Sequence, residues 1–233
     1  VLSRRQRQMC IRDRAIEDYF SMNYELEHRL KDAGKSEVVE IIHPKYLDEI
    51  KFSFIRQSEP NGLGHAILQA KHIITDDFFG IILADDLILS EPGCLKQLLE
   101  IHEKTQSSVL GVFSASENQV SNYGVISSKN IDGIEKVDGI VEKPKPADAP
   151  SNLAVFGRYI LSKDIFLNIE QTKPGLNNEI QLTDAIQDLI SNQDVFALEF
   201  EGRRFDCGSK EGYISAIIDR VLSIDKYKSI IEK

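Results

Sequence analysis

The sequence predicts an α/β fold: a mixed, mostly parallel sheet with helices on both faces and a small antiparallel β insertion. Three observations carry this. The run Gly80-Ile-Ile-Leu-Ala-Asp-Asp-Leu87 opens with unbroken apolar residues, the pattern of a strand buried on both faces of a parallel sheet. Strand-like runs alternate along the chain with helical stripes, as helices layered on a sheet require. Residues 125–128 and 139–142 flank the turn signals of 130–133, which reads as an antiparallel pair.

Residues 1–14 carry five arginines in an otherwise acidic chain and no periodicity. A basic disordered arm and a targeting leader are alternatives, but we read the segment as foreign sequence and exclude it from fold reasoning. A single domain is expected over 15–233. A helix is expected over 15–30, with Ile16, Tyr19, Phe20, Leu26 and Leu30 on one stripe. A turn follows at 32–36, then strands at 38–42 and 52–56. Gly62-Leu-Gly64 opens a helix over 64–74. The apolar strand covers 79–84, a helix 93–105, and strands 108–114 and 153–161. A helix over 179–191 takes Asn178 as N-cap and Glu179 in its first turn, with Ile180, Ala185, Ile186 and Leu189 inward. A strand spans 195–201, and helical stripes run from 212 to the end. Residues 144–150, rich in Pro and Ala, form a surface loop.

At 233 residues, 42% hydrophobic and 28% charged, the chain has the makeup of an ordinary globular protein. A net charge of −9 argues against a nucleic-acid or membrane-surface partner. It leaves room for a small anionic substrate, because a bound cation inverts the local field. No apolar run approaches the ~18 residues of a membrane span. The cysteines, Cys10, Cys94 and Cys207, are odd in number and lack metal-ligand spacing, which suits a reducing cytoplasm.

Several segments could carry chemistry. Asp85 and Asp86 follow the apolar strand directly, at the edge where ligands bind in open α/β sheets. A carboxylate there calls for a cation; a solvated turn is the alternative. Asp206, within Arg203-Arg-Phe-Asp-Cys-Gly208, is a second turn aspartate. With Asp85 it could complete a Mg²⁺ site, since Mg²⁺ takes one or two carboxylates and fills its shell with phosphate oxygens and water. Cys207 reads as a small buried residue. The carboxamide of Gln57 offers a donor and an acceptor side by side, as the edge of a uracil or thymine ring demands. Gly62 permits positive φ and close approach by a ligand. Gly124 stands where a side chain would crowd a sugar lying on the sheet, although a turn or bulge also explains it. Glu142 could accept from two vicinal hydroxyls and Lys143 could meet a phosphate. In a regular strand the two would point to opposite faces unless the chain turns there.

Taken together, Gly62-Leu-Gly-His-Ala66, Leu83-Ala-Asp-Asp-Leu87, Tyr123-Gly-Val-Ile126, Val141-Glu-Lys-Pro144, Ser151-Asn-Leu-Ala-Val-Phe-Gly-Arg-Tyr159, Asn178-Glu-Ile-Gln-Leu-Thr-Asp184 and Asp206-Cys-Gly208 resemble the bacterial UTP–glucose-1-phosphate uridylyltransferase family. The resemblance runs in order from about residue 14 to the C-terminus. It implies a Rossmann-like nucleotidyltransferase fold and the reaction of UTP with glucose 1-phosphate to give UDP-glucose and pyrophosphate. It also implies roles: Gln57 and Gly62 on the uracil, Asp85 and Asp206 on Mg²⁺, Gly124 and Glu142 on the glucose, Lys143 on the sugar phosphate. Asp85, Lys143 and Asp206 would carry the catalysis, in a homodimer or homotetramer. One departure stands out. The family opens on a Gly-x-Gly-Thr-Arg loop that cradles the triphosphate, and no such stretch occurs here. The chain is therefore expected to be a shortened form with little or no activity. Two alternatives remain: a non-catalytic nucleotide-sugar-binding or regulatory subunit, and another sugar-1-phosphate nucleotidyltransferase such as a thymidylyltransferase.

Overall fold

The computed structural model describes residues 15–175 and 178–231, so the reading of 1–14 as foreign lies outside the described residues. Two units are present, Val1–Pro60 and Asn61–Lys233.

The first unit holds helices α1 (Ala15–Phe20), α2 (Tyr24–Asp32) and α3 (Ser36–Ile42). The single helix expected over 15–30 is two, because Asn23 restarts it. The Asn23 side chain accepts from the Leu26 N–H at 3.0 Å, which satisfies a first-turn donor. The strand expected over 38–42 is α3, and 52–56 forms no strand. Among the described residues of this unit no strand offers a ladder, so a β-branched run meets its backbone hydrogen bonds locally, as a helix. Val39 turns inward; Val38 and Ile41 stay exposed. Phe20 stacks on Phe52, with ring centroids 4.9 Å apart.

The second unit begins with α4 (Gly62–Leu68), β1 (Phe78–Ile82), β2 (Asp86–Leu89), α5 (Cys94–Thr105), β3 (Ser108–Ser114), β4 (Gly124–Ile131) and β5 (Ile134–Glu142). It continues through β6 (Leu153–Ser162), α6 (Ile165–Gln171), α7 (Leu182–Ile190), β7 (Val195–Glu199), β8 (Arg203–Asp206), α8 (Lys210–Leu222) and α9 (Asp225–Ile231). Six strands form one sheet in the order β1-β6-β3-β7-β5-β4, and β2 with β8 forms a second. The sheet is mixed, as expected, but not mostly parallel: among the described residues only β3 and β7 run parallel. The ten-residue strand β6 is the reason, since it runs against β1, β3 and β4 alike. The apolar run at 80–84 is likewise not doubly buried. It ends β1, which lies at the sheet edge with Ile82 exposed.

Helices cover both faces. Alternation along β3 and β6 sends Leu110, Val155, Tyr159 and Leu161 to a core closed by Ile67 of α4, Phe166 and Ile169 of α6, and Ile186 and Leu189 of α7. Val109, Phe156 and Ile160 face the other way, onto Cys94 and Leu98 of α5. The antiparallel insertion is the β4–β5 hairpin. Its turn residues Asp132 and Gly133 have φ of 52° and 85°, the left-handed pair that a two-residue hairpin uses.

Asn178 is not the N-cap of α7. It sits at φ 62°, and the helix starts at Leu182. The segment between is captured by the start of α4: the Ile180 N–H donates to the Asn61 carbonyl at 2.8 Å, and the Ile180 carbonyl accepts from the Gly64 N–H at 3.0 Å. Sequence patterning also missed α6, β2 and β8, which are too short for periodicity to register.

Gly157 of β6 sets the turn after β1. A Cβ there would stand 2.5 Å from the Leu83 Cβ and 2.8 Å from Asp86 Oδ2. Gly157→Ala is expected to destabilise the protein by about 2–3 kcal/mol through overpacking. A urea denaturation midpoint no lower than that of the parent would contradict the close approach.

Candidate active site

Beyond β1 the two adjacent aspartates divide. Asp86 is buried, 8% exposed. Its Oδ1 accepts from Arg204 Nε at 2.6 Å and its Oδ2 from the Gly157 N–H at 2.8 Å. Arg158 laces the same turn, donating to the Leu83 and Asp86 carbonyls at 3.1 and 2.7 Å. Asp85 is exposed, and its carbonyl accepts from the Cys207 N–H at 2.8 Å. Asp86 stands opposite Asp206 across the β2–β8 ladder, and the backbone of Asp85 pairs with Cys207, the residue after Asp206. Asp206 Oδ1 accepts from the Gly208 N–H at 3.0 Å and Oδ2 from the Tyr123 hydroxyl at 3.1 Å. These are hard oxygen donors, suited to a cation that completes its shell with phosphate and water. No group of three or more metal-ligating side chains occurs among the described residues.

Gly124, Glu142 and Lys143 come together. Gly124 opens β4 directly opposite Glu142 at the end of β5. A Cβ on Gly124 would lie 3.4 Å from Glu142 Oε2 and 3.3 Å from the Thr183 side chain, so glycine keeps that surface low. Thr183 donates to Glu142 Oε2 at 2.6 Å. Lys143 has φ 46°: the chain turns there, and Nζ lies 3.4 Å from Glu142 Oε1 instead of on the opposite face.

Tyr123 joins the two groups. Its hydroxyl meets Asp206, its carbonyl accepts from the Lys143 N–H at 3.0 Å, and Gly124 is the next residue. Arg204 lies over the rings of Phe113, Tyr123 and Phe156, 4.5, 4.9 and 5.6 Å from their centroids. Burial pushes the Asp86 carboxyl above its ordinary range, with Arg204 pulling only partly against it. Burial opposes the Arg204 charge too, but Asp86 and Tyr123 outweigh it and hold the guanidinium above its usual range. Burial raises the Tyr123 phenol, which keeps it a neutral donor. Asp184, beside Glu142, is raised by burial and by that neighbouring charge. Cys207 is half-buried, not buried, and burial raises its thiol.

A family model for nucleotidyl transferases matches residues 9–220. The UTP–glucose-1-phosphate uridylyltransferase of Pseudomonas aeruginosa is 46% identical over 206 residues, 87% of this chain and 74% of that protein. That of Streptococcus pyogenes is 44% identical over 221 residues, 92% of this chain and 72% of the relative. This chain belongs to the UTP–glucose-1-phosphate uridylyltransferase family. The crystal structure of a UDP-glucose pyrophosphorylase complexed with UDP-glucose superposes with a TM-score of 0.77 at 42% identity, covering 88% of this chain and 76% of that one. A UTP-bound enzyme from Acinetobacter baumannii gives 0.82 at 33% identity, over 94% and 78%.

The remaining sequence candidates of this uridylyltransferase-family chain are placed differently. Gln57 lies on the irregular stretch 51–60 of the first unit. Gly62 has φ 96°, and a Cβ there would stand 2.8 Å from the Ile180 carbonyl, so packing within the chain already demands glycine. Tyr123, Arg204, Arg158 and Thr183 make the contacts around these candidates and were given no role from the sequence. One signal was available: Arg204 precedes Asp206 by two, the spacing that puts both on one face of a strand. Asp86→Asn, which leaves Arg204 buried without its counter-charge, is expected to cost about 3 kcal/mol of stability, while Asp85→Asn leaves the urea midpoint unchanged. Equal effects of the two substitutions would overturn the division between them.

Proposed function

We propose that these residues serve the transfer of the uridylyl group of UTP to glucose 1-phosphate, yielding UDP-glucose and pyrophosphate. The observation that carries this is the Glu142 carboxylate and Lys143 ammonium gathered over the bare surface of Gly124, with Tyr123 tying them to Asp206. In this reading Glu142 accepts from two vicinal hydroxyls of the glucose while Thr183 holds its other side. Gly124 lets the sugar lie against the backbone. Lys143 holds the sugar phosphate, and Gln57 and Gly62 hold the uracil. Asp85 and Asp206 hold Mg²⁺, which when bound neutralises charge on the phosphates. A phosphate oxygen of glucose 1-phosphate attacks the α-phosphorus of UTP, the α–β bridging bond breaks, and pyrophosphate leaves. The attacking oxygen is already ionised at neutral pH, so the residues position and neutralise; none has to remove a proton. The enzyme works as a homodimer or homotetramer in the cytoplasm. Among the described residues no helix is long and apolar enough to cross a membrane.

Calorimetry on the chain tests the sugar site. UDP-glucose should bind, and Glu142→Gln should weaken it roughly tenfold while weakening UDP less than about twofold, the scale of a hydrogen bond to a charged group. Equal losses for the two ligands would remove Glu142 from the glucose. Where these residues follow a Gly-x-Gly-Thr-Arg loop, Asp206→Ala should lower single-turnover rates far more than it weakens UDP-glucose binding. Pyrophosphate release from UTP should exceed that from dTTP, and the reverse preference would make the enzyme a thymidylyltransferase.

A further inference from the structure

We infer that Tyr123 is the positioning residue of this site, and that Arg204 sets the direction in which it acts. The inference rests on the uridylyltransferase reading. Arg204 is fastened by Asp86, which takes its Nε at 2.6 Å, and by the three aromatic rings it lies across. Guanidinium is donor only. Its Nη1 therefore donates to the Tyr123 oxygen, at 3.4 Å, and a phenol oxygen that accepts there has its own proton left for another acceptor. That acceptor is Asp206 Oδ2, at 3.1 Å. The chain Asp86–Arg204–Tyr123–Asp206 thus has a single proton direction, ending on the carboxylate. Asp206 is held as an acceptor, with one oxygen turned to Tyr123 and the other to the Gly208 N–H.

The same tyrosine holds the other half of the site through its backbone. Its carbonyl takes the Lys143 N–H at 3.0 Å, which pins the left-handed turn that brings Lys143 beside Glu142. Tyr123 thereby joins the carboxylate that would face the cation to the lysine that would face the sugar phosphate. The hydroxyl alone serves Asp206 and the carbonyl alone serves Lys143, so the two functions separate by substitution.

Tyr123→Phe removes only the hydroxyl and keeps the ring under Arg204. With Mn²⁺ as the probe, followed by its electron paramagnetic resonance signal in the presence of saturating UDP-glucose, the variant should bind the ion about tenfold more weakly than the parent. UDP-glucose affinity measured in EDTA should stay within twofold, because Lys143 keeps its backbone anchor, and the urea midpoint should barely move. Arg204→Lys, which retains charge but loses the fork, should reproduce the Mn²⁺ loss in part. Unchanged Mn²⁺ affinity in Tyr123→Phe would overturn the inference, as would an equal loss of UDP-glucose binding with and without the ion. Failure of the parent chain to bind UDP-glucose would sink the uridylyltransferase reading itself, and this inference with it.

Discussion

Two ionised groups buried side by side are costly to desolvate, by several kcal/mol each, and persist only when their hydrogen-bonding capacity is met. Asp86 and Arg204 meet that condition. One carboxylate oxygen takes the guanidinium and the other the Gly157 N–H, while three aromatic rings shield the cation. The pair ties the two-stranded β2–β8 sheet to β6 of the main sheet. Everything chemically useful nearby hangs from that tie. Asp85 is the exposed neighbour of Asp86, Asp206 stands opposite Asp86 across the ladder, and Tyr123 packs against the same guanidinium.

Glycine makes this arrangement possible at two depths. At Gly157 it lets β6 approach the turn that carries Asp85 and Asp86, closer than any side chain allows. At Gly124 it leaves bare the surface over which Glu142 reaches. The first requirement is structural and the second is one a ligand would exploit, yet the sequence displays both as the same letter. Gly62 shows the hazard: its positive φ and crowding against Ile180 explain it within the chain.

The strands and helices with strong periodicity were legible: α5, β3, β6, β7, the β4–β5 hairpin and the inward face of α7. So was the gathering of Gly124, Glu142 and Lys143 as candidates, because strand ends and turn residues mark them. What was not legible has a common cause. β2 and β8 are four residues each, too short for alternation to register, and they carry Asp86, Arg204 and Asp206. The strand misread over 38–42 failed because β-branched content signals a strand only where a ladder partner exists.

The order of residues was enough to fix which segments are apolar, where the chain turns, and which side chains could bind phosphate, sugar or a divalent ion, since these are properties of single residues and their spacing. Partnership needed the folded chain. That Asp86 and not Asp85 is the buried anchor, that Tyr123 faces Asp206 across 83 positions, and that Lys143 swings onto the side of Glu142 all depend on strands meeting far apart in sequence. Burial and proton direction are relations between segments, and no local pattern encodes them.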